Sequence, residues 1–151
     1  MQDRQTELHR SLQESQRQYT YALLAVSVAV IGFALKETSG KALDASQLAL
    51  GWAVILWALS FFYGCKHVQY FNSSLYANGA LLQIENNEHP DTKGYSPTAR
   101  AAAYEGVRKA FETNSDKANQ YCHWQFRLLI LGSLSYIAWH VLNMYTQMIM
   151  S

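Results

Sequence analysis

From Leu128 to Tyr145 the chain runs for eighteen residues without an Asp, Glu, Lys or Arg. Coiled as a helix at about 1.5 Å per residue, such a run nearly crosses the hydrocarbon layer of a bilayer, so it reads as a membrane span. Inside and just beyond it, Ser133, Tyr136, His140, Asn143 and Gln147 recur at intervals of three and four. On a helix this spacing gathers all five into an arc of roughly 80°. Unpaired hydroxyl, imidazole and amide groups cost kilocalories in hydrocarbon, so the stripe has to face something other than lipid. It either hydrogen-bonds to neighbouring helices of the same chain or lines a water-filled path enclosed by several copies, with snorkelling towards the far interface as a third outcome. His140, inside a span, is a candidate proton-sensitive gate.

The whole chain is 151 residues, one domain's worth, with 50% apolar side chains. Its mean hydropathy of −0.13 looks nearly soluble. That average conceals three apolar blocks separated by segments rich in Gln, Asn, Ser and charge. The formal charge of +1 comes without a basic, aromatic-interleaved face, which argues against a nucleic-acid partner. Cys65 and Cys122 fall at the expected cytoplasmic ends of spans and read as free thiols. The polar N-terminus has no short apolar core followed by a small-residue cleavage site, so the first apolar block is expected to stay in the membrane.

Residues 1–18 are polar, contain no Gly or Pro, and suit a cytoplasmic helix running into a first span over 19–35. Ala22, Ala25, Ala29 and Gly32 step along that span and predict a face on which another helix packs closely. Charge returns at Lys36, Gly40 can end the helix, and Asp44 with Gln47 looks like a capping box, so a second helix is expected to start there. Its membrane part covers 48–65, with aromatic residues near both ends.

Nothing breaks the helix after Cys65. Val68, Phe71, Leu75, Gly79 and Leu82 continue at helical spacing while their surroundings turn polar. Asn86 to Gly94 is a concentrated turn signal, and Ser96 followed by Pro97 is a strong helix start. Residues 66–123 thus predict a cytoplasmic antiparallel helical hairpin, with Ala103, Val107, Ala110, Ala118 and Tyr121 facing the first arm, before a third span over 124–147. The fold class is all-α: an integral membrane protein of three spans and one hairpin. Lys and Arg concentrate in 1–18 and in the hairpin, which sets the N-terminus inside and the C-terminus outside.

Few residues suggest chemistry. Cys65, His67, Cys122 and His123 are zinc-ligand types at one depth, but on continuous helices the first pair points about 200° apart and the second about 100°, so no metal site is expected. Arg4 and His9 stand six residues apart inclusive, similar in form to the motif of HEPN-type ribonucleases, on an exposed arm with no supporting polar partner. No nucleophile with an obvious base, phosphate loop or carboxylate pair is apparent, so neither an enzyme nor a cofactor is expected.

The plan from about residue 1 to 123, a cytoplasmic helix, two tightly linked spans and a helical cytoplasmic extension, resembles the small bacterial SLATT-like membrane effectors of antiphage defence. The third span departs from that plan. The resemblance implies a bacterial inner-membrane protein that forms a pore or perturbs the bilayer when a cytoplasmic partner signals. The expectation is therefore a homo-oligomeric, channel-like effector with the hairpin as sensing or assembly stalk. The alternative is a non-conducting anchor or accessory subunit that recruits a soluble partner through the hairpin.

Overall fold

The computed structural model describes the backbone of residues 2–39 and 47–150 and the side chains of 7, 10–39 and 47–149. Gly40 and Asp44, where the first turn and the second helix cap were expected, lie outside the described residues, as do the side chains of Arg4 and His9. Within this range the chain is built from helices α1 (Gln2–Thr38), α2 (Leu48–Glu85) and α3 (Pro97–Met150), with a 3₁₀ turn at Pro90–Thr92 and no strand. All three long helices have the length and apolar composition to cross a membrane. They are uninterrupted because no Pro occurs inside them, and Gly64 and Gly132 stay helical where packing needs them.

The chain divides into two compact units, Met1–Cys65 with Cys122–Ser151, and Lys66–Tyr121. The first is a three-helix bundle. Leu23 and Ala34 of α1, Leu50, Ala53 and Trp57 of α2, and Leu129 and Trp139 of α3 form one buried cluster. The burial follows a strict rhythm. On α1 it falls at Thr20, Leu23, Ser27 and Ala34, with Val30 half-buried; on α2 at Leu50, Ala53, Trp57, Ser60 and Gly64; on α3 at Gln125, Leu128, Gly132 and Trp139, with Ser135 half-buried. Alternating steps of three and four give the 3.5-residue period of helices wound about one another. α2 and α3 run antiparallel, because Ser60 pairs with Gln125 while Ser135, further along α3, pairs with Ala49, earlier on α2.

Outside this seam the first unit is covered by apolar side chains. Val26, Phe33, Trp52, Ile55, Phe62, Leu131, Leu134, Ile137 and Val141 are all exposed, and only 17–28% of the most apolar window of each helix is buried. An apolar surface of that extent is untenable in water and suits a lipid environment.

The second unit is a two-helix hairpin. His67, Ser74, Ala77, Leu81 and Ile84 of α2 are buried, and on α3 Ala118 is buried while Ala103, Val107, Phe111, Asn114 and Tyr121 are half-buried. The expected α2 stripe is therefore displaced. Val68 and Phe71 are half-buried, but Leu75, Gly79 and Leu82 are exposed. Hydrophobicity misplaced the face because polar residues occupy inner positions after their groups are paired: His67 Nδ1 lies 2.8 Å from the Ala118 carbonyl, and Ser74 Oγ donates to the Phe71 carbonyl at 2.8 Å. Ala110, expected to face α2, is exposed.

Tyr70 stacks on Tyr121 at 5.3 Å, and the Lys117 ammonium sits 5.2 Å over the Tyr70 ring. At the tip, Asn87 takes a left-handed conformation at φ 59°, His89 Nδ1 accepts from the Asp91 amide, and Arg100 donates to Asn87 Oδ1 at 3.0 Å. α3 begins at Pro97 as the sequence predicts, with Ser96 Oγ accepting the Ala99 amide at 3.3 Å. On its exposed side Glu105 pairs with Arg108 at 2.9 Å, and this hydrogen bond and charge, with Glu112 behind them, raise the guanidinium pKa further.

Candidate functional site

The side of α3 that enters the bundle runs through Gln125, Leu128, Gly132 and Trp139. The polar stripe expected from the sequence lies on its flank: Ser133, Tyr136 and His140 each follow a seam position, Gly132, Ser135 and Trp139, by one residue, about 100° round the helix. The offset divides the stripe. Ser133 is half-buried and its Oγ donates to the Leu129 carbonyl of its own helix at 2.9 Å. Tyr136 is half-buried in an aromatic cluster, with ring centres 6.2 Å from Phe33, 5.8 Å from Trp57 and 5.5 Å from Trp139. Asn143 is half-buried, whereas His140 and Gln147 are exposed. The His140 ring touches only the edge of this cluster, 6.3 Å from Trp139.

On α1 the small-residue face is turned away from the bundle. Ala22, Ala25, Ala29 and Gly32 are all exposed, and a Cβ built on Gly32 would meet nothing within 4 Å. The expectation that this face packs on another helix is not met within the chain. The opposite side packs instead, because Thr20 and Ser27 return their hydroxyls to the carbonyls of Gln16 and Leu23, at 3.0 and 2.9 Å, and so enter a core at little polar cost.

The closest packing lies at two positions that sequence reasoning missed. Gly132 has no room for a side chain: a Cβ would stand 2.6 Å from Cδ1 and Nε1 of Trp57 and 3.2 Å from the Ala53 carbonyl. Gly64 is similarly covered, by the Gln125 amide at 2.5 Å and Leu24 at 2.6 Å. Ser60 Oγ donates to the Gln125 carbonyl at 2.7 Å, and Ser135 Oγ to the Ala49 carbonyl at 2.8 Å. Gln125 itself is fully buried, and neither its amide nitrogen nor its amide oxygen has a hydrogen-bond partner among the described residues; the Trp57 and Trp139 Nε1 groups are equally unpaired. The available signal was a glycine inside each of two spans, opposite a bulky side chain on the neighbouring helix.

Among the described residues no three His, Cys, Asp or Glu side chains gather closely enough to hold a metal ion. Cys65 and Cys122 are free thiols, and burial pushes the Cys122 thiol pKa up. The Arg127 guanidinium lies 5.7 Å over the Trp124 ring, a cation and aromatic pair of the kind found at membrane interfaces.

Fold and seam together define a helical protein with three candidate membrane spans and an antiparallel hairpin. No family model, curated protein or solved structure matches the chain.

Proposed function

We propose that the chain is a membrane-embedded effector that assembles from several copies into a channel-like structure, with the flank of α3 that carries His140 and Gln147 turned towards the interior of the assembly. One observation carries this reading. After the bundle has taken up Ser133, Tyr136 and part of Asn143, an imidazole and an amide are left exposed on an apolar span, where lipid does not satisfy them. A neighbouring copy or enclosed water does. The unused face of Ala22, Ala25, Ala29 and Gly32 offers a surface for close approach of that copy. With the N-terminus inside, the hairpin lies in the cytoplasm of a bacterial inner membrane and receives a soluble partner or signal, as the SLATT-like resemblance implies.

The test is the mass of the full chain in nanodiscs, followed by planar-bilayer conductance of wild type and of His140→Leu/Gln147→Leu. Four or more copies, with a conductance that the double variant loses, is the expected result. A monomer without conductance rejects the channel reading.

A second reading is favoured by Ser133 and Tyr136, whose polar atoms and rings are engaged inside the bundle. On that reading the spans are a non-conducting anchor or accessory subunit, and the double variant leaves partner binding by the hairpin intact.

A further inference from the structure

Along the hairpin, between α2 and α3, runs an open groove of about 630 Å³. Ala77, Ala80, Gly106 and Ala110 give it a small-residue lining, and Ser73 and Tyr76 of α2 also line it. Tyr76 is 83% exposed, the highest value among the large apolar and aromatic side chains of the described chain. None of the lining residues is Asp, Glu, Lys or Arg, and His89 of the tip is the one imidazole.

The charge pattern of the two arms says what such a groove is for. α2 runs from His67 to Ile84, eighteen residues, without a single Asp, Glu, Lys or Arg, whereas the opposite arm carries Arg100, Glu105, Arg108, Lys109, Glu112, Asp116 and Lys117. A helix kept in water is ordinarily charged on its outer face. A lipid-facing helix would not carry Gln69, Asn72, Ser73, Asn78 and Gln83. Depletion of charge with a prominent tyrosine is the composition of a protein interface core.

We infer that the occupant is a second copy of this chain, and that two hairpins pair about a two-fold axis running along them, each Tyr76 seated in the other's groove. A two-fold interface requires one patch to be complementary to itself, and this patch carries both the knob and the recess. Tyr76 stands level with the groove it borders, between Ser73 and Ala80 on the same helix, so an axis along the hairpin brings it into the partner's groove without a slide. Copies inserted in one membrane with one topology place their hairpins on the same side of it, where they can meet. An uncharged arm against an uncharged arm avoids burying an unpaired ion. The inference rests on the reading that copies assemble and is independent of whether the assembly conducts.

The experiment uses the full chain in nanodiscs, in a Cys65→Ser/Cys122→Ser background, with Ser73→Cys as the site for a short bismaleimide. Wild-type grooves are expected to yield inter-chain dimers on a denaturing gel. Gly106→Phe places a ring in the groove, at a position where a Cβ meets nothing within 4 Å, and its unfolding midpoint in SDS is compared with that of Gly79→Phe to show that the chain still folds. Gly79→Phe, equally free of neighbours and outside the groove, is the control. Gly106→Phe and Tyr76→Ala are each expected to lower dimer yield by about tenfold, the effect of losing one hot-spot contact, with Gly79→Phe unchanged. Equal yields in all variants overturn the inference. So does a protein whose mass shows several copies but whose Ser73→Cys form does not cross-link, and in that case assembly through the spans stands without the hairpins.

Discussion

Gly132 is one of two positions where the bundle leaves no room for a side chain, and there the crowding atoms belong to a rigid ring and a backbone, so adding one methyl group tests the packing directly. In Gly132→Ala the new Cβ stands 2.6 Å from two atoms of the Trp57 indole and 3.2 Å from a backbone oxygen. Trp57 is buried and its ring rigid, so relief requires α2 and α3 to separate locally or the indole to leave its rotamer. Overpacking of this kind costs about 1–3 kcal/mol, and the higher helix propensity of Ala returns roughly 0.5–1 kcal/mol, leaving a net loss of about 1 kcal/mol at the centre of a range of roughly 0–2.5. The assay is reversible unfolding from mixed micelles by added SDS, followed by tryptophan fluorescence, with Gly32→Ala as control because its Cβ meets nothing. Gly32→Ala, inside α1, should gain only the propensity, roughly 0.5–1 kcal/mol, so the difference between the two variants isolates the overpacking cost of about 1–3 kcal/mol. Trp57→Leu removes the indole and with it both crowded ring atoms, so Gly132→Ala should cost less in that background, with a coupling of at least about 0.5 kcal/mol. A Gly132→Ala chain as stable as Gly32→Ala would refute the close approach of α2 to α3.

The buried amide and its neighbours make further predictions in the same assay. Gln125→Met keeps the volume and removes two unpaired polar atoms, so it should stabilise the bundle by about 1–3 kcal/mol; loss of stability would mean that the amide is paired in the membrane. Ser60→Ala deletes the bond to the Gln125 carbonyl and should cost about 0.5–1.5 kcal/mol, whereas Ser133→Ala, which loses a bond only to its own helix, should cost less. Cys122 makes a pH prediction. A raised thiol pKa means less thiolate at a given pH, so in Cys65→Ser protein the alkylation rate of Cys122 should lag that of a free thiol at pH 8 and keep climbing after the free thiol has levelled off. A plateau at the same pH as the free thiol would show that Cys122 is not desolvated.

Much of the architecture was legible because length and charge decide it. Three uncharged runs, a turn rich in Asn, Pro and Gly, and the Ser96 and Pro97 start signal fix the number of helices, and the described helices follow them. Which side of each helix faces inward was less legible. Reading apolar residues as inner picked Leu75 and Leu82, both exposed, while His67, Ser74, Ser60 and Gln125 are buried. In the hairpin His67 and Ser74 are inner because their polar groups are paired. For Ser60 and Gln125, in a bundle whose outer surface suits lipid, hydrophobicity does not distinguish the inside from the outside, so size and hydrogen-bonding reach take over. The stripe on α3 lies beside the buried face rather than on it. Stripe and seam share the same alternation of three and four, one residue out of step, and a periodicity alone does not say which of two such lines a neighbouring helix covers.

The composition of the seam bears on what the first unit is built to do. Its inner positions hold Thr20, Ser27, Ser60, Gly64, Gln125 and Gly132 alongside Leu and Trp, and its outer positions hold most of the large aliphatic residues. Such a bundle gains little from excluding water between its helices; close van der Waals contact and a few hydrogen bonds to backbone carbonyls hold it together. Contacts of that kind are specific in register but individually small, and the unpaired Gln125 amide and two indole N–H groups subtract from them. The single chain leaves the small-residue side of α1 and the His140 flank of α3 open. On the proposed reading these are the faces through which a second copy would add contacts of the same kind, small individually and specific in register.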